Sequence, residues 1–138
     1  MFFIRASQSR CDEADIEYLP DPNSPSNPSK PPPLLLTNQV PDCTKRPATT
    51  TSLTVPRDMN TTFHDYQIDW VPGKVMYSVD GGPKTTLSKD VPTSEGLFIV
   101  NLWTNGDEGF SRGPPAREAV MYIQSISLAY NMTSDTQR

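Results

Sequence analysis

Residues 63–82 read FHDYQIDWVPGKVMYSVDGG, and the order of polar and apolar side chains along them settles the class of fold. His64, Tyr66, Ile68 and Trp70 alternate with Asp65, Gln67 and Asp69, so a period of two sends the rings and the isoleucine to one face. VPGK then makes a turn, and Val75, Tyr77 and Val79 of VMYSV align on one face of a second strand. Asp80-Gly81-Gly82 follows as a hairpin signal, because Asp-Gly tolerates positive φ. The stretch is expected to be part of a β-meander.

The same reading extends in both directions. Downstream, after KTTL and a break at Pro92, GLFIVNLW places Phe98, Val100 and Leu102 on one face and Leu97, Ile99, Asn101 and Trp103 on the other. A Gly- and Pro-rich loop, TNGDEGFSRGPPARE, leads to AVMYIQSISLAYN, expected to be a long final strand. Upstream, residues 20–56 hold 10 of the 15 prolines. That composition reads as an irregular excursion, at about residues 20–57, interrupted by one short strand, LLLTNQV, able to pair beside the strand that precedes the excursion. Helical periodicity is sustained nowhere. The class is all-β, an antiparallel sandwich in a single domain covering residues 1–138.

Composition narrows the function. Sixteen acids against 12 bases give a net charge of −4 and the bases form no run, which argues against a nucleic-acid partner. No apolar stretch approaches the roughly 20 residues of a membrane span. The first ten residues, MFFIRASQSR, lack the regions of a signal peptide, whereas the sequons at Asn60 and Asn131 point towards the secretory route. Cys11 and Cys43 could close a disulfide across the proline-rich segment or stay apart, and the sequence leaves both open. Oligomeric state is equally open.

The most unusual stretch is CDEADIEYL, residues 11–19. As a strand it turns Ala14, Ile16 and Tyr18 to one face and Glu13, Asp15 and Glu17 to the other. An ordinary amphipathic strand seldom stacks three like charges, because they repel and Asp is a poor strand former. Retaining glycosidases need two carboxyl groups about 5 to 5.5 Å apart, one nucleophilic and one protonated. Positions i and i+4 lie about 13 Å apart at Cα, a gap that two leaning Glu side chains can largely close. Asp15 between them could hold a rotamer and a shared proton, and mutual repulsion would raise one pKa. Calcium is the rival use of clustered carboxylates, but no EF-hand glycine turn accompanies these. No metal and no cofactor is expected.

Glu13-Ala14-Asp15-Ile16-Glu17 resembles the ExDxE signature of glycoside hydrolase family 16, the β-glucanases with a concanavalin A-like jelly roll. TNQ at 37–39, the 63–81 segment and VNLWTNGD at 100–107 are similar to the family in the same order, so the resemblance spans nearly the whole chain. It implies that Glu13 is the nucleophile, Glu17 the general acid/base and Asp15 the residue assisting the nucleophile. It also implies that Trp103 and Asn101 line a sugar cleft, against the plainer roles of a core aromatic and a strand-edge hydrogen bond. His64 matches a recurrent family position and is read as a core residue; Trp70 and Tyr66 are core, and Asn105 and Asp107 lie in a loop near the cleft. The chain resembles the family from within a strand onwards, which implies a jelly roll incomplete at its N-terminus. Cys11 also departs from the pattern, standing on the Glu13 face where some relatives carry Trp. The implied activity is retaining hydrolysis of β-glucan-type cell-wall polysaccharide by a parent that is secreted or wall-associated. A transglycosylase using the same carboxylates, or an inactive carbohydrate-binding or structural fragment, is the alternative.

Overall fold

The computed structural model describes residues 2–6, 12–40, 47–59 and 61–131. The pairing of Cys11 with Cys43 and the sequon at Asn60 lie outside the described residues; Asn131 is exposed. Among the described residues eight strands form two antiparallel sheets: β1 (Phe2–Ala6), β2 (Glu13–Tyr18), β3 (Leu34–Gln39), β4 (Thr49–Leu53), β5 (Tyr66–Val71), β6 (Lys74–Val79), β7 (Thr85–Leu87) and β8 (Gly96–Val100). The five-stranded sheet runs β4-β3-β2-β1-β8 and the three-stranded sheet β5-β6-β7. No helix among the described residues is long and apolar enough to cross a membrane.

The meander forms as its alternation predicts. Ile68 pairs with Tyr77 and Trp70 with Val75, and Asp80 and Gly81, at φ 53° and 65°, turn the chain into β7. Val75 and Tyr77 then pack against Ala14, Ile16, Leu34 and Leu36 of the larger sheet, and these six residues are the shared core. Complete burial of each aliphatic side chain stabilises the fold by about 1.5–3 kcal/mol. Tyr18, Tyr66, Ile68 and Trp70 pack around that centre, half-buried, and the Trp70 indole N–H donates to the Pro92 carbonyl at 3.0 Å.

Three expectations need correction. The proline-rich excursion contains two strands rather than one, because Thr49–Leu53 pairs with β3. Its β-branched threonines suit a sheet edge, and with only Leu53 apolar it gives no hydrophobic signal. The strand read through to Trp103 stops at Val100, since Val100 pairs with Phe2 and β1 begins there. Among the described residues no ladder continues beyond it. The long final strand over AVMYIQSISLAYN does not form: residues 119–131 lie in no sheet, and Tyr122, Ile126 and Tyr130 are exposed, Tyr122 by 77%. No partner strand lies beside it among the described residues.

Candidate active site

Period-two geometry on β2 works here with both faces covered. Ala14 and Ile16 enter the core, while Glu13, Asp15 and Glu17 turn to the opposite face and line one cavity of about 700 Å³. Register carries the same face across neighbouring strands: Asp15 pairs with Thr37 and Thr37 with Thr50, Glu17 with Leu35 and Leu35 with Ser52. The acids therefore stand beside a trough of hydroxyl-bearing residues, where Thr37 Oγ1 and Thr50 Oγ1 are 3.2 Å apart. On the other side Glu13 pairs with Arg5 and Asp15 with Phe3 of β1.

The row of acids is not a solvated face. Asp15 is 2% exposed and Glu17 8%. Burial raises the Glu17 carboxyl from its ordinary 4.5 to about 7, helped by the negative charge of Glu13. Burial likewise holds Asp15 well above the usual carboxylate range, reinforced by a side-chain hydrogen bond with Glu13 and the charges of Glu17 and Glu13, against a lowering hydrogen bond with Thr37. Asp15 Oδ1 has no hydrogen-bond partner among the described residues. One strand thus holds a carboxyl that keeps its proton to about pH 7 four residues from another acid.

Polar groups anchor the acidic strand from beneath and from its start. Tyr77 reaches up from β6, its hydroxyl 2.9 Å from the Thr37 carbonyl and 2.6 Å from Asn38 Oδ1. Asn38, itself fully buried, donates to the carbonyls of Lys89 at 3.0 Å and Leu87 at 3.4 Å. Burial and the neighbouring Asp15 charge push the Tyr77 hydroxyl far above its ordinary pKa, so it stays protonated. Asp12, fully buried, accepts from the backbone N–H groups of Thr93 and Ser94, the latter at 2.9 Å, and ties the head of β2 to the turn before β8. Sequence reading missed Asn38 and Asp12. Nothing in the local pattern separates a buried amide or carboxylate from an exposed one.

The aromatic wall differs from expectation in detail. Asn101 is exposed and stands outside the cavity lining, and Trp103 is half-buried with its ring 6.1 Å from that of Phe110 at 31°. It is Phe110 that lines the cavity with the acids. Asn105 and Asp107 brace the loop carrying it: Asn105 Oδ1 accepts from the Asp107 N–H at 2.9 Å and from Ser111 Oγ at 2.5 Å. The Asp107 carbonyl accepts from the N–H groups of Phe110 and Arg112. Gly113, at φ 99°, closes the loop against Thr104, whose hydroxyl would clash with a Cβ there. His64 lies not in the core but just before β5, with Nδ1 2.8 Å from Asp80 Oδ2 and Nε2 3.4 Å from Asp58 Oδ1. The hydrogen bond to Asp80 raises its pKa and the charges of Asp80 and Asp58 add to the shift, against partial desolvation.

An antiparallel all-β protein with carboxyl groups ranged along a central strand inside a hydroxyl-rich cleft is the class the structure defines. Comparison with known proteins gives the family. The profile of glycosyl hydrolases family 16 matches residues 1–123, and the chain belongs to that family. Curated relatives include β-glucanases of Paenibacillus polymyxa, 41% identical over 46 residues, and of Paenibacillus macerans and Bacillus subtilis (strain 168), at 39% and 37% over the same length. Each match covers 33% of this chain and 19% of the relative. No solved structure matches the chain significantly.

Proposed function

We propose that the chain carries the catalytic centre of a retaining β-glucan hydrolase. The observation that supports the reading best is that Glu13, Asp15 and Glu17 share one cavity while burial holds Glu17 at about pKa 7. Glu13, the least buried of the three, attacks the anomeric carbon as its carboxylate, forming a glycosyl ester while the glycosidic C–O bond breaks. Glu17 gives its proton to the departing oxygen. In the second half it takes a proton from water, whose oxygen attacks the same carbon and frees Glu13. Asp15 hydrogen-bonds with Glu13 and holds its orientation.

The substrate is a β-glucan of the cell wall, a reading supported by the family and by the printed names of the relatives. Attack is internal to the polymer, because the trough runs on across β3 and β4 beside the acids. The parent acts outside the cell, in keeping with the sequons and with a wall polysaccharide as target. Release of reducing ends from mixed-linkage and β-1,3-glucan by wild type and Glu13→Gln tests the assignment. Loss of more than about 10³-fold in kcat is expected for the variant. Equal activity in the two would remove Glu13 from the mechanism.

A further inference from the structure

The proline-rich segment is a built piece of the cleft. After β2 ends, Asn27 Nδ2 donates to the carbonyls of Leu19 at 3.0 Å and Asp21 at 2.8 Å, and two successive turns form, Ser24 N–H to Asp21 O and Asn27 N–H to Ser24 O, both 3.1 Å. The segment is then pinned to a loop more than 80 residues away. Ser24, buried, donates from Oγ to the Phe110 carbonyl at 2.7 Å; Ser26 Oγ donates to Gly109 O at 2.6 Å. Arg112 Nε pairs with Asp21 Oδ2 at 2.9 Å, and its guanidinium donates to Asn23 O at 3.3 Å. Ser26, Pro28 and Phe110 line the cavity of the three acids together, so one wall of that cavity is made from both loops.

We infer that residues 21–28, clamped to the 104–113 loop through Ser24 and Arg112, form a fixed wall of the cleft that positions the polysaccharide over the acids. The inference rests on the reading of Glu13 and Glu17 as the catalytic pair. The wall presents the proline ring of Pro28 and the phenyl ring of Phe110, apolar surfaces suited to the C–H faces of sugar rings. It rises from the end of β2 where Glu17 lies, and a wall held there keeps water from that carboxyl. Ser24 and Arg112 touch no part of the cavity themselves; they are positioning residues.

The test compares Ser24→Ala/Arg112→Ala with wild type on two substrates: mixed-linkage glucan, which would fill the cleft, and a nitrophenyl β-cellobioside, which would fill only its centre. The expected result is a rise of about fivefold in KM for the polymer, equivalent to ~1 kcal/mol, with kcat on the cellobioside within about twofold. The alkaline limb of the polymer pH profile should also move to lower pH as Glu17 becomes wetter. An unchanged polymer KM, or equal losses on both substrates, overturns the wall. Arg112→Ala alone removes only a half-exposed pin and should move the polymer KM in the same direction by a smaller factor, which decides the matter if the double variant does not fold. Glucan retardation of each protein in affinity gels reads the wall without catalysis. Wild type that binds glucan more tightly than the variants, yet hydrolyses none, overturns the catalytic reading and keeps the wall.

Discussion

Strand β2 and the segment 119–131 carry the same kind of code and meet opposite fates. EADIEY alternates acids with apolar residues and is packed on both faces, with Ala14 and Ile16 in the core and Asp15 and Glu17 buried along the floor of an open cavity. AVMYIQSISLAYN is richer in strand formers, yet Val120, Ile123 and Leu128 are each at least half exposed. Propensity does not explain the contrast, since Asp and Glu are poorer strand formers than Ile and Tyr. What differs is the company. β2 has β1 and β3 on either side and β6 beneath, whereas 119–131 joins no ladder among the described residues. β8 lies between these extremes: it pairs with β1 on one edge and leaves Leu97 58% exposed. A strand here is a property of its neighbours.

The acids of β2 should give the largest effect. Glu17→Gln keeps the shape of β2 and removes the proposed proton donor, so glucan hydrolysis should fall by about 10²–10⁴-fold while the fold persists. The same variant should change stability in a set direction. The folded state keeps the Glu17 proton until about pH 7, whereas the unfolded chain releases it near 4.5. Wild type is therefore penalised as pH rises from about 4.5 to 7, and at pH 8 the variant should be the more stable by roughly 1–3 kcal/mol in urea titrations. A less stable variant at that pH would show that the carboxylate is welcome in the cavity.

Core truncation should separate the two regions next. Leu36→Ala, in a fully buried position against β6, should cost about 2–5 kcal/mol, while Ile126→Ala should stay within about 0.5 kcal/mol. Similar costs at both sites would mean that 119–131 is packed in solution. Tyr77→Phe takes the hydroxyl from between Thr37 O and Asn38 Oδ1, and with those acceptors buried the expected loss is about 1–3 kcal/mol. Because that hydroxyl supports the strand next to Asp15, kcat should fall with it. The smallest effect belongs to His64. Its raised pKa stabilises the fold fully below pH 6.5, and the contribution fades as pH climbs through the folded value. His64→Gln should lower the melting temperature slightly at pH 6 and leave it unchanged at pH 9.

Much of the β-framework was legible because alternation survives wherever a strand has one buried face. The meander of β5 and β6 and the pairing of LLLTNQ with EADIEY follow from it. Thr49–Leu53 was not legible, since an edge strand of threonines hides among prolines. The site divides the same way. Three acids on one strand face announce themselves, while Phe110, Ser26 and Pro28 come to the cavity only because two distant loops meet.

The alternation alone makes the protein all-β, sets Glu13, Asp15 and Glu17 on one face of their strand with Ala14 and Ile16 on the other, and aligns Val75 with Tyr77, because these are consequences of a two-residue repeat. Tertiary contacts alone set the burial of Asp15 and Glu17, the proton that Glu17 holds to about pH 7, the arrival of Ser26 and Pro28 at the same cavity, and the place of 119–131 outside any sheet of the described residues. Burial, desolvation and ladder pairing depend on what arrives from elsewhere in the chain, and a local pattern carries no record of it.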